Sequence, residues 1–257
     1  MKASPETRGS KPQVFFIHIE KTAGSSLIDW LILPNVADNH RIGSLKSYLP
    51  VRNTDCVHGH APYGYHVVAG RPVEYATFLR EPVDRAVSYY YFIKDLVRVD
   101  LFERHPLRDY ADSVTISQFF RNPKHSNIQC RFLAGAAYHK AYPLLHRSAH
   151  FRRSMLHAAI RNLDRCRVFG IQESFDESVR RFQEAFDWSA CEPGTRLSRT
   201  RKRPTLGEID ELNPAILPSL RQSHALDIQL YQQALARFNT DSAQTPVAGA
   251  EEGHLRG

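Results

Sequence analysis

Cysteine is sparse in this chain. Its four residues, Cys56, Cys130, Cys166 and Cys191, stand far apart in 257 residues. No two form a C-x-x-C pair, which argues against a zinc ribbon or a thiol redox motif, so ordinary buried thiols are expected. The N-terminus, MKASPETRGSKPQ, lacks the apolar core of roughly 7–15 residues that a signal peptide needs. No window approaches the roughly 18 apolar residues of a membrane span. The expectation is a soluble, cytoplasmic protein. There is no internal repeat. Neither G-x-x-x-x-G-K-[ST] nor G-x-G-x-x-G occurs, so the common nucleotide loops are absent.

Positive charge is in excess. The formal net charge is +7, with 34 Lys and Arg against 27 Asp and Glu. An anionic partner is therefore expected: a polyanionic cofactor, an acidic glycan, a nucleic acid or a membrane surface. Charge alone does not choose among them. With 42% hydrophobic residues, the chain is long enough for one large α/β domain. We read residues 1–12 as a disordered arm, 13–238 as a single domain and 239–257 as a solvated tail.

Strands and helices alternate. The near-continuous apolar run Val14–Ile19 reads as a strand buried on both faces, and Asp55–His60, Glu74–Leu79 and Arg167–Ile171 read as further strands. Helical spacing covers Ser25–Leu33, the stretch from Pro82 through Ile93, Ser113–Arg121, Asn127–Leu133, Phe151–Leu163, Phe175–Phe186 and Pro218–Phe238. Residues 35–53 show no pattern, and 188–207 form a long basic loop. This order implies a central parallel sheet flanked by helices, a three-layer sandwich in which ligands bind beyond the carboxyl ends of the strands.

Three stretches converge on that end. In Phe15–Leu27 an apolar run leads into Lys21, Thr22, Ala23, Gly24, Ser25 and Ser26 and then a helix. A loop entering a helix presents unpaired N–H groups at a positive dipole end. Gly24 permits close backbone approach, the hydroxyls donate, and Lys21 adds a charge, so the stretch suits phosphate or sulfate. An ordinary strand-to-helix turn with capping serines is the competing reading. A second strand–turn–helix unit follows, with Arg80 at its turn. An arginine there is a good bidentate phosphate ligand; otherwise it pairs with Glu81 or Asp84, and Tyr89–Phe92 are core. Third, His58 and His60 end a strand two residues apart, on one face. A histidine there can serve as a general base. A metal would need a third ligand, and no H-x-H-x-D pattern exists.

HisIleGluLysThrAlaGlySerSerLeu (18–27) resembles the 5′-phosphosulfate loop of sulfotransferases that use 3′-phosphoadenosine 5′-phosphosulfate (PAPS). More narrowly it is similar to the glycan-acting branch that includes heparan sulfate 2-O-sulfotransferases and bacterial relatives. That pattern has Pro where this chain has Glu20, and often Gly where it has Ala23. PheLeuArgGluProValAspArgAlaValSerTyrTyrTyrPhe (78–92) resembles the same family's 3′-phosphate motif, and ValHisGlyHisAlaProTyrGly (57–64) its His-Gly-His segment. Weaker likenesses are Asn127-x-Gln129-x-Arg131-x-Leu133-x-Gly135 and the closing helix around Asp227–Phe238.

The resemblance implies a P-loop-like fold and a metal-free transfer of a sulfuryl group from PAPS to a hydroxyl, with a carbohydrate as the acceptor. It implies cofactor contacts from Lys21, Thr22, Ala23, Gly24, Ser25, Ser26, Leu27, Arg80 and Ser88. His60 becomes the catalytic base, with Lys21 stabilising charge and His58 in support. By position in the chain, the basic loop with Arg199, Arg201 and Arg203 falls where the family closes over the cofactor. Tyr63, Tyr65, His66 and Arg131 are candidate acceptor contacts. Two other classes stay open: a P-loop-like small-molecule kinase, and a non-catalytic basic module that binds polyanions.

Overall fold

The computed structural model describes residues 11–37, 39–42, 54–95, 107–189 and 216–244. The arm before residue 11, the loop holding Arg199, Arg201 and Arg203, Cys191 and the tail after 244 lie outside these residues.

Five strands form one sheet: β1 (Gln13–Ile17), β2 (Asn39–Ile42), β3 (Cys56–Gly59), β4 (Val73–Leu79) and β5 (Val168–Ile171). Their order is β2-β3-β1-β4-β5 and every pair is parallel. Side chains alternate between the two faces of a strand. Phe15 and Ile17 accordingly join one buried cluster with Val57, Tyr75 and Leu79, while Phe16 joins a second with Cys56, Ala76 and Phe78. Each face needs its own cover, which is why helices flank the sheet on both sides.

The second face is covered first by α1, in which Gly24–Leu27, a π-helical stretch Ile28–Ile32 and Leu33–Asn35 follow one another without a break. Its Leu27, Ile28, Leu31 and Ile32 are buried there, and Phe182 of a later helix, α9 (Phe175–Phe186), joins them. Pro34 is tolerated inside the last turn, so the helical run ends at Asn35. The short α2 (His66–Ala69) follows β3, and α3 (Pro82–Asp95) follows β4. Next come α4 (Arg108–Ser113), α5 (Ile116–Arg121), α6 (Ile128–Ala134), α7 (Ala136–Leu145) and α8 (Ala149–Asp164). The first face is closed by α6 and α8 together with α11 (Ala225–Gln244), which is preceded by α10 (Ile216–Ser223).

Several boundaries differ from the sequence reading. The helix expected at Ser113–Arg121 is two, because Thr115 caps α5 with a reciprocal bond to Gln118. The closing helix is likewise two, broken at the buried His224. Its second part runs to Gln244, beyond the boundary placed at 238. β2 escaped detection: its sequence is NHRI, with exposed His40 and Arg41 at the sheet edge.

Cys56, Cys130 and Cys166 are buried free thiols, and burial pushes Cys56 and Cys166 up to about 12. Among the described residues no helix is long and apolar enough to cross a membrane.

Candidate anion and general-base site

The strands β1 and β4 are neighbours, yet the helices that follow them cover different parts of the molecule. In open α/β sheets such divergence marks the crevice, beyond the carboxyl ends of the strands, where ligands bind. The turn after β1, the turn after β4 and the end of β3 all lie at that end of the sheet.

The turn after β1 is held in an unusual backbone. Lys21 and Ala23 both have φ of 68°, a left-handed conformation that costs a side-chain-bearing residue energy. The Thr22 hydroxyl donates to the Ile19 carbonyl at 2.9 Å and is fully buried. It therefore staples the turn and is not displayed to a ligand. Ala23 occupies the N-cap position of α1, and no side chain caps the helix start. The capping role considered for the serines is thus not realised; Ser25 and Ser26 are exposed. The N–H groups of Ala23, Gly24, Ser25 and Ser26 have no acceptor within the helix. Leu27 departs from its expected role, since its side chain is wholly buried and its N–H donates to the Ala23 carbonyl at 3.1 Å.

Gly24 also has a different reason for being there. A Cβ at this position would lie 2.3 Å from Cδ2 and 2.8 Å from Nε2 of His18. The glycine makes room for an imidazole. His18 was quoted within the motif but given no task, and it connects two parts of the site. Its ring stacks on His60 with centroids 4.5 Å apart, and its carbonyl lies 2.8 Å from His60 Nδ1. A carbonyl only accepts, so Nδ1 carries the proton and Nε2 of neutral His60 keeps its lone pair. Burial, then the neighbouring His60, His58, Arg41 and Lys21, lower His18 to about 3, so it stays uncharged near neutrality.

His58 does not stand in the crevice. It is 5% exposed in β3, paired in register with Phe16 and Arg41. Burial, followed by Arg41 and His40, lowers it to about 4. A side chain so enclosed cannot orient a substrate directly.

The helix α3 grips the turn from the other side. Arg85 Nη1 donates to the Glu20 carbonyl at 3.4 Å, and the Lys21 ammonium lies 4.4 Å from the centre of the Phe92 ring. Arg85, Ser88 and Phe92 occupy one helical stripe. Ser88 is 8% exposed between these two contacts. Burial, then the nearby Glu20 carboxylate, raises Tyr89 well above an ordinary tyrosine. Glu20, which stands where the family pattern has proline, is thus directed to α3. Tyr89 is buried in the apolar cluster around α3, as read from sequence, while half-buried Phe92 also meets the turn through Lys21.

Arg80 ends β4. Its Nη1 donates to the Lys21 carbonyl at 3.3 Å, and its buried Nε has no hydrogen-bond partner among the described residues. Gln129 fixes its backbone in both directions: Arg80 N–H donates to Gln129 Oε1 at 3.0 Å, and Gln129 Nε2 donates to the Arg80 carbonyl at 2.9 Å.

Gln129 is placed by reciprocal capping. Asn127 Oδ1 accepts from the N–H groups of Leu226 and Asp227 at the start of α11. The Asp227 carboxylate in turn accepts from Gln129 and Cys130 at the start of α6. The third member of that motif, Arg131, donates to the carbonyls of Pro123, Lys124, Ser126 and His139. Arg131 is buried, and Tyr65 is buried against Phe15, so neither contacts an acceptor. Tyr63 and His66 pack on Tyr75.

The turn of β1, Arg80 and His60 are therefore brought together at one end of the sheet. Arg199, Arg201 and Arg203 lie outside the described residues. Among those described, no three His, Cys, Asp or Glu side chains are grouped to hold a metal ion. No protein-family model and no curated protein matches the chain.

Proposed function

We propose that this chain is a sulfotransferase moving a sulfuryl group from PAPS to a hydroxyl, with a carbohydrate as the acceptor class, on a P-loop-like sandwich. The observation that carries the reading is the Gly24–His18–His60 stack. It sets an uncapped helix start beside an imidazole whose Nε2 is free to take a proton.

The residues present fit the donor. Uncapped amides at the start of α1 suit a sulfate or phosphate oxygen. Arg80 brings a guanidinium with an unused buried Nε, and Ser88 lies on the facing stripe of α3. When bound, PAPS supplies the sulfuryl group and a bisphosphate leaving group. His60 Nε2 accepts the proton of the attacking hydroxyl. The amides of residues 23–26 and the charges of Lys21 and Arg80 favour negative charge at the cleft, so positioning and electrostatics carry the catalysis. Lys21 rests on Phe92 in this structure, and contact with the transferring group requires it to turn from that ring.

Thermal-shift measurements with adenosine 3′,5′-bisphosphate, ATP with Mg²⁺, and heparin test the reading. Selective stabilisation by the bisphosphate supports it. Stabilisation only by ATP with Mg²⁺ would assign the chain to kinases, and a response to heparin alone would make it a polyanion-binding module.

A further inference from the structure

A second cavity lies apart from the crevice, where α5, α7, the start of α8 and the junction of α10 with α11 meet. It is a half-open depression with a volume of about 330 Å³, within the range of small-ligand sites. Arg121, His146 and Arg152 bring positive or protonatable groups to it; Phe120 and Leu226 supply apolar wall. None of the residues around it is Asp or Glu. The sequence agrees on a larger scale: residues 113–163 contain no Asp or Glu, while Lys and Arg recur throughout.

The polar groups are only partly used. Ser126 is 4% exposed, and its hydroxyl is 3.5 Å from the Tyr142 hydroxyl, longer than the roughly 2.5–3.0 Å of a good hydroxyl hydrogen bond. His146 Nδ1 meets the Pro143 carbonyl at 3.2 Å, so that nitrogen carries a proton and Nε2 remains for a ligand. A pocket with cations, no carboxylate, an underused buried hydroxyl and an apolar wall matches a compact anion that also carries hydroxyls. Arginine pairs well with carboxylate and phosphate through parallel N–H donors.

We infer that this cavity binds an anionic sugar, a sugar acid or a sugar phosphate, independently of the crevice at the strand ends. The inference does not rest on the sulfotransferase reading, because it concerns binding and none of its residues belongs to that crevice. Asn127 adjoins the cavity and Gln129 of the same helix holds Arg80, so the two sites are neighbours.

Calorimetric titration of the full chain with glucuronate, glucose 6-phosphate, glucose and inorganic sulfate provides the test. At least one charged sugar is expected to bind with a saturable isotherm, and glucose and sulfate at least tenfold more weakly. The tighter of the two charged sugars identifies the anionic group. R121Q combined with R152Q should weaken that sugar tenfold or more, since a factor of ten needs only about 1.4 kcal/mol. S126A should weaken it severalfold. Both arginines are exposed, so the thermal midpoint should hold, and S126A is a second route if it does not. Absence of binding by both charged sugars overturns the inference. So does equal affinity for glucose or sulfate, or an affinity that ignores all three substitutions. Failure of adenosine 3′,5′-bisphosphate to bind would count against the sulfotransferase reading alone.

Discussion

Gly24→Ala sets two effects against each other. The backbone at Gly24 is helical and its φ is not positive, so alanine would ordinarily gain about 1 kcal/mol there. The new Cβ would, however, arrive 2.3, 2.8 and 3.3 Å from three ring atoms of His18. That ring cannot simply retreat, because His60 is stacked on it and Phe16 lies beyond at 6.1 Å. Overpacking of this kind costs about 1–3 kcal/mol. Less the gain, a net cost of about 0–2 kcal/mol lowers the melting temperature of a domain of this size by up to roughly 8 °C. The displaced stack also moves His60, and a misplacement of about 1 Å costs on the order of 10² in rate. Calorimetry on G24A and on the H18A/G24A pair checks the origin of the penalty. In the H18A background the Cβ has space, so G24A should become neutral to stabilising and the coupling should exceed about 1 kcal/mol. A G24A effect that is the same with and without His18, leaving a coupling near zero, would refute the reasoning.

Turnover of His60→Ala should fall on the order of 10²–10⁴ while bisphosphate affinity is kept; undiminished turnover removes His60 as the base. Arg80→Ala should weaken adenosine 3′,5′-bisphosphate binding by roughly 1.5–3 kcal/mol, the range for a charged hydrogen bond, and unchanged calorimetric affinity would dismiss its role. Acid should destabilise the chain. His18 and His58 are held at about 3 and about 4, below the unfolded value of 6.5, so their contribution is complete above pH 6.5 and is lost as pH falls. At pH 5 the loss is about 2 kcal/mol for each. Asp227 acts oppositely: burial raises it to about 6, so protonation between pH 6 and 3.8 favours the fold and offsets about 1 kcal/mol of that loss. Urea midpoints at pH 7.5 and 5 measure the balance, and a midpoint that rises on acidification contradicts it. Asn127→Ala removes the cap of α11 and should cost about 1–2 kcal/mol, read as an earlier urea midpoint; no change would show that the reciprocal caps are not coupled to folding.

Strands β1, β4 and β5 were legible because a strand covered on both faces is a mostly apolar run, and β3, CVHG, because turn residues close it at 61–64. Edge strand β2 was not, since NHRI carries one strongly apolar residue. The break between α10 and α11 was also hidden. Its cap comes from Asn127, about a hundred residues earlier in the chain, and no local pattern encodes a partner so distant.

Composition and order alone determined an α/β chain with a parallel sheet, an anion-suited turn after the first strand, and a histidine and an arginine at later strand ends. Periodicity and turn chemistry are local, so they survive in one dimension. Which of those side chains face the crevice was decided only by packing. The tertiary structure withdrew Leu27, Arg131 and Tyr65 into the interior, spent the Thr22 hydroxyl inside its own turn, and enclosed His58 in the sheet. It directed Glu20 to Tyr89, and it gave His18 a place between Gly24 and His60. These outcomes depend on which rings and carbonyls meet when β1, β3 and β4 are laid side by side, and that adjacency is a property of the folded sheet.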